Sequence, residues 1–100
     1  MIPIGKLIDI SRRYFSIPSS WRRKLNITQG SVVQIRIKGN FMILRKCDQS
    51  TTEITSTVSK GGVIYIPMEV RNHFKLKGIT NFELFADVEN SSIIICQEKS

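Results

Sequence analysis

Tyr14-Phe15-Ser16-Ile17-Pro18-Ser19-Ser20-Trp21-Arg22 decides the fold, because the chain repeats its plan 49 residues later as Val63-Ile64-Tyr65-Ile66-Pro67-Met68-Glu69-Val70-Arg71. Each stretch is a β-rich run that ends in Ile-Pro, followed by three residues and an arginine. The same offset pairs Leu25 with Phe74, Ile27 with Leu76, Val33 with Phe82 and Ile35 with Leu84. Ile17/Ile66, Pro18/Pro67, Arg22/Arg71 and Cys47/Cys96 are identical across it. A pattern that recurs at a fixed offset is one structural unit used twice.

One hundred residues make one small domain, 1–100, and halves of this size cannot each hold a full core, so they are expected to share one. In the first repeat, 8–47, Tyr14, Phe15 and Ile17 read as a short strand, and Pro18 suits the first turn of a helix. Ser19 to Asn26 gives about two turns, with Trp21 and Leu25 at i, i+4 on a buried face. Val33, Ile35 and Ile37 alternate with Gln34, Arg36 and Lys38 as in a half-buried strand. Gly39-Asn40 turns the chain into a return strand over 41–46. The polar stretch 48–55 reads as a linker, and the second repeat, 56–97, follows the same plan. Its Lys60-Gly61-Gly62 loop leads into Val63–Ile66, a helix buries Val70 and Phe74, and Phe82, Leu84 and Ala86 alternate. Glu89-Asn90 then turns into a strand over 93–96. The chain is therefore expected to be mainly β with two short helices, as two tandem strand-helix-strand-strand repeats. Closure into a small barrel is the expected solution, because closure removes exposed sheet edges.

The net charge of +7 is unevenly spread. Residues 1–50 hold ten Lys/Arg against two Asp/Glu, whereas residues 51–100 hold five against six. Such an excess in one half of a quasi-symmetric molecule favours a polyanionic partner, nucleic acid first. An anionic membrane surface would call for an amphipathic helix, and none is visible. No apolar run approaches the roughly 18–20 residues of a membrane span, and Met1 to Ile10 lacks a signal-peptide core. Two cysteines, Cys47 and Cys96, at equivalent strand ends read as reduced thiols of a cytoplasmic protein.

These residues resemble the AbrB/SpoVT/MazE family of swapped-hairpin barrels. The first copy, from Arg13 through Ile17-Pro18 and Arg22 to Leu25-Asn26-Ile27-Thr28-Gln29-Gly30-Ser31, is similar to that family's strand, Ile-Pro, arginine and leucine-x-isoleucine-x-x-glycine-polar pattern. The second copy keeps Lys60-Gly61-Gly62, Ile66-Pro67 and Arg71. Two copies in one polypeptide resemble the MraZ arrangement. The resemblance implies a swapped-hairpin barrel and a double-stranded DNA-binding transcription regulator, associated with the nucleoid. It implies DNA contact through Arg12 and Arg13 in the loop before the Ile-Pro strand and through Arg22, Arg23 and Lys24 on the helix. In the second repeat the matching positions are Lys60 and Arg71. Because the second copy replaces Arg12-Arg13 by Gly61-Gly62 and Arg23-Lys24 by Asn72-His73, contact is expected mainly from the first repeat. Gly78 is displaced by one position relative to Gly30, so the second helix exit is expected to differ.

The bland readings stand beside these. Arg22 and Arg71 are the identical pair and could equally brace the barrel on a carboxylate or carbonyl. Arg36, Lys38, Arg45 and Lys46 read as solvated strand residues, Trp21 as core, Tyr14 and Tyr65 as barrel residues, and His73 as an exposed helix residue. With one histidine and two distant cysteines there is no recognisable metal site, and no cofactor motif is present. No nucleophile motif or phosphate loop appears, so the chain is not expected to be an enzyme. An antitoxin or other protein-interaction module on the same fold is the alternative. A toxin partner is disfavoured because only four residues follow Cys96. Whether one chain closes the barrel or two interleave as a homodimer stays open.

Overall fold

The computed structural model describes residues 1–47 and 54–98. Among them lie eight strands and two α-helices. These are β1 (Ile2–Asp9), β2 (Tyr14–Ser16), α1 (Ser19–Lys24), β3 (Val32–Lys38), β4 (Phe41–Lys46), β5 (Ile54–Ser59), β6 (Val63–Tyr65), α2 (Met68–Leu76), β7 (Asn81–Asp87) and β8 (Ser92–Gln97). A single 3-10 turn, Lys60–Gly62, joins β5 to β6. The strands form one antiparallel sheet in the order β1-β7-β8-β4-β3-β5-β6-β2, curled into a nearly closed barrel.

Alternation sets the inner face. Along β3, Val33 and Ile35 are buried while Arg36 and Lys38 are exposed, and along β7 Phe82, Leu84 and Ala86 are wholly buried. Val33, Ile35, Phe82 and Leu84 join Leu44, Ile64, Ile66, Val70, Phe74, Ile93 and Ile95 in one continuous core. The neighbours of most strands come from the other half of the sequence: β1 pairs with β7, β3 with β5, β4 with β8 and β2 with β6. In the last of these, Tyr14 faces Tyr65, Phe15 faces Ile64 and Ser16 faces Val63. Exchanging residues by the offset of 49 returns the same set of pairs, so an approximate two-fold passes through the buried contact of Phe15 with Ile64.

Several expectations need correction. Each half has four strands, not three, because β1 and β5 precede the Ile-Pro strand; the limits 8 and 56 fall inside them. The expected linker lies largely outside the described residues, and its last two positions, 54 and 55, belong to β5. The sheet does not close fully: β1 and β2 are its two ends. The helix expected over Ser19 to Asn26 stops at Lys24.

The fixed offset also fails at the helix exits. Leu76 is not the counterpart of Ile27; it is 89% exposed, and Ile79 is buried instead. Ile27 N–H donates to Arg22 O at 2.9 Å, and Ile79 N–H donates to Phe74 O at 3.0 Å, the same closing bond. The residue before each is left-handed, Asn26 at φ 55° and Gly78 at φ 71°, so Gly78 answers to Asn26 rather than to Gly30. Cys47 and Cys96 are not equivalent either. The β3–β4 turn joins Lys38 to Phe41, but the β7–β8 turn joins Asp87 to Ser92, two residues longer. Cys47 N–H therefore donates to Val32 O where Glu98 N–H donates to Asn81 O, which matches Cys47 with Glu98. Both thiols are half-buried and not joined in a disulfide.

Candidate nucleic-acid interface

The two Ile-Pro segments are built alike, and the likeness extends to their arginines. Pro18 and Pro67 cap α1 and α2 with extended backbone (φ −54°, ψ 143° and φ −57°, ψ 148°). One turn on, Arg22 Nε donates to Ile17 O at 2.9 Å and Arg71 Nε donates to Ile66 O at 3.0 Å. The N–H groups of the same two isoleucines reach across the β2–β6 ribbon. Ile17 N–H donates to Gly62 O at 3.2 Å, and Ile66 N–H donates to Arg13 O at 2.7 Å. Each isoleucine peptide is thus clamped between the helix arginine of its own half and the loop of the other half.

This arrangement regroups the charges. Arg22, Arg23 and Lys24 of α1 sit beside the turn Lys60–Gly62, and the Arg22 guanidinium occupies the space that a Cβ on Gly62 would need. Gly62 is itself left-handed, at φ +75°, so this place demands glycine on two counts. At the other end of the ribbon, Arg13 shares the Ile66 clamp with Arg71, and Arg12 precedes it in the same loop. The first-half cations are therefore divided between two clusters, each made from one half's loop and the other half's helix. Arg12, Arg13, Arg23, Lys24 and Lys60 are exposed, whereas Arg22 and Arg71 are half-buried and committed through Nε. The bracing reading therefore holds for both arginines of the identical pair.

Ser19, Arg22, Arg23, Asn26, Thr28 and Gln29 line a shallow depression of ≈ 500 Å³ beside α1. Its rim of guanidinium, hydroxyl and amide groups is what a phosphodiester would be held by. The expected solvated residues Arg36, Lys38, Arg45 and Lys46 are exposed on their strands. The Asp9 carboxylate, at the end of β1 before the first loop, is held below its usual value first by the Ser11 hydroxyl and amide hydrogen bonds (2.7 and 2.9 Å), with a smaller contribution from Arg12. Among the described residues no group of three or more His, Cys, Asp or Glu could hold a metal ion, and no helix is long and apolar enough to cross a membrane.

The aromatic side chains depart in part from expectation. Tyr14 and Tyr65 are not interior: 59% and 37% exposed, they face each other across the ribbon with ring centroids 5.4 Å apart, tilted at 58°. Inward Phe15 and Ile64 force their strand neighbours outward, a signal that strict alternation could have supplied. Arg71 fixes Tyr65, donating from Nη2 to the phenol oxygen at 3.0 Å with its guanidinium carbon 5.7 Å from the ring centroid. Trp21 is half-buried, packed against the core on one side and covered by Lys24 Nζ, 4.6 Å from its ring centroid. His73 is half-buried rather than exposed; its ring packs edge-on to Phe74 and its Nε2 is buried without a hydrogen-bond partner.

In comparison with known proteins, the chain matches no family model, no curated protein and no solved structure.

Proposed function

We propose that the chain is a double-stranded DNA-binding transcription regulator, built on a swapped-hairpin barrel of the AbrB/SpoVT/MazE kind and acting in the cytoplasm on the nucleoid. The observation that carries this reading is the matched pair of clamps, Arg22–Ile17–Gly62 and Arg71–Ile66–Arg13. They hold a basic loop and a basic helix together at each end of one short ribbon. The exchange of strand neighbours between halves is what a swapped-hairpin barrel would require, and it adds support. The half-by-half charge bias favours contact mainly from the first repeat; the regrouping favours two basic clusters about an approximate two-fold. Duplex DNA has its own dyads, so two such clusters would meet two phosphate tracts.

In this reading Arg12, Arg13, Arg23, Lys24 and Lys60 neutralise phosphates and release counterions, while Arg22 and Arg71 hold the loops that present them. Fluorescence anisotropy on a labelled duplex over a salt series tests it. Wild-type binding should weaken steeply with salt. Arg12→Ala/Arg13→Ala and Arg23→Ala/Lys24→Ala should each weaken binding and flatten the log–log salt slope by roughly 1.8, about 0.9 for each lost phosphate contact. Absence of duplex binding at low salt, or slopes unchanged in both variants, refutes it.

A further inference from the structure

Among the described residues the sheet is left open at one seam, between β1 and β2. On the second-half side, β5 and β6 close by pairing Val58 with Ile64 and Ser59 with Val63. Ser56 and Ser59 add hydroxyl bonds to the carbonyls of Tyr65 and Val63 at 2.8 and 2.9 Å. On the first-half side β1 and β2 form no such ladder, and the register of β1 shifts between Pro3 and Leu7. A cleft of ≈ 440 Å³ remains between them. The residues that line it include Tyr14, Lys6, Arg12, Asp9, Glu98 and Asn81.

We propose that this seam is a binding site for a nucleotide whose base is unstacked from its neighbours. The Tyr14 face is presented at a fixed tilt, because Tyr65 packs against it and Arg71 holds Tyr65. An exposed aromatic face beside an arginine accepts a nucleobase and its phosphate. Glu98 and Asn81 supply acceptors and a donor for a base edge that carries an exocyclic amine. An extended peptide fits the cleft less well, because Lys6 Nζ donates to Ser16 Oγ at 2.7 Å and this bridge would stand in the path of an added strand. The site shares Arg12 with the proposed duplex face, but Tyr14 belongs to neither cation cluster, so Tyr14→Ala separates the two readings.

Titration calorimetry of the full chain with AMP, GMP, CMP and UMP, with the corresponding nucleosides, and with ten-residue single-stranded oligodeoxynucleotides tests the site. At least one of these phosphate-bearing probes is expected to bind. Tyr14→Ala should weaken that binding roughly ten-fold, within the range of a lost base–aromatic stack, while Tyr14→Phe should stay within about two-fold. Arg12→Ala should weaken the nucleotide and leave the nucleoside unchanged, a readout that holds even if Tyr14→Ala is poorly folded. Binding of mononucleotides assigns the site to a free nucleotide; binding of oligomers alone assigns it to a nucleotide within a strand. No binding of any probe at millimolar concentration overturns the proposal. So does binding indifferent to Tyr14→Ala, or an equal loss of duplex affinity in that variant, which would place Tyr14 in the duplex face.

Discussion

Gly62→Ala should damage the protein more than Gly61→Ala, and the difference measures the Arg22 clamp. Both glycines are left-handed, at φ +75° and +79°, so an added Cβ strains either backbone by about 1 kcal/mol. At Gly61 nothing lies within 4 Å of the new atom. At Gly62 the new atom collides with the Arg22 side chain, which must leave and break its bond to Ile17 O. A hydrogen bond from a charged donor is worth about 1.5 kcal/mol here, the low end of the range because Arg22 is half-buried. Gly62→Ala should therefore cost about 2.5 kcal/mol in urea denaturation. Its melting temperature should lie about 6–12 °C below that of Gly61→Ala, by the usual scaling for a domain of this size. Combining Gly62→Ala with Arg22→Ala removes the collision, so on that background the substitution should cost only about 1 kcal/mol. Equal stabilities of the two single variants, or an undiminished cost on the Arg22→Ala background, would refute the clamp.

Ile79→Ala should cost about 2–4 kcal/mol in the same denaturation assay, whereas Leu76→Gln should stay within about 0.5 kcal/mol, because Ile79 closes the core and Leu76 stands in solvent. Trp21→Ala should cost about 2 kcal/mol, short of the roughly 3–5 kcal/mol of a fully buried aromatic, since one face of the ring meets only Lys24. The Asp9 carboxylate should titrate in carbon-detected NMR below its ordinary value of 3.8, and Ser11→Ala should raise that midpoint. The sign follows from the lowered value: the Asp9–Ser11 contribution is present above the unfolded-state pKa and is lost as pH falls through the folded one.

The strands with strict alternation, β3 and β7, are legible in the sequence because one face is buried and the other wet. β1 is not. Its Pro3 and Gly5 read as strand breakers, yet at the end of a sheet proline is tolerated, and a register shift absorbs the irregularity. The helix exits mislead for a different reason. α2 has nine residues against six in α1, and the turn that follows is shorter, so the two changes cancel by the time Asn81 opens β7. A constant offset passes over compensating changes and assigns Leu76 to the core. The cations of the candidate interface are legible one by one. Their grouping is not, because it depends on which half's loop meets which half's helix, and that is a property of the sheet order.

That order has a consequence for how the protein is made. When the first 47 residues have left the ribosome, the only strand pair they can complete among themselves is β3 with β4. The outer edges of β3 and β4, and one edge each of β1 and β2, wait for partners not yet translated. Productive folding is therefore a late event, dominated by contacts far apart in sequence and slow for that reason. Until it happens, the nascent chain carries unpaired apolar strands that a holdase or a neighbouring nascent copy could occupy.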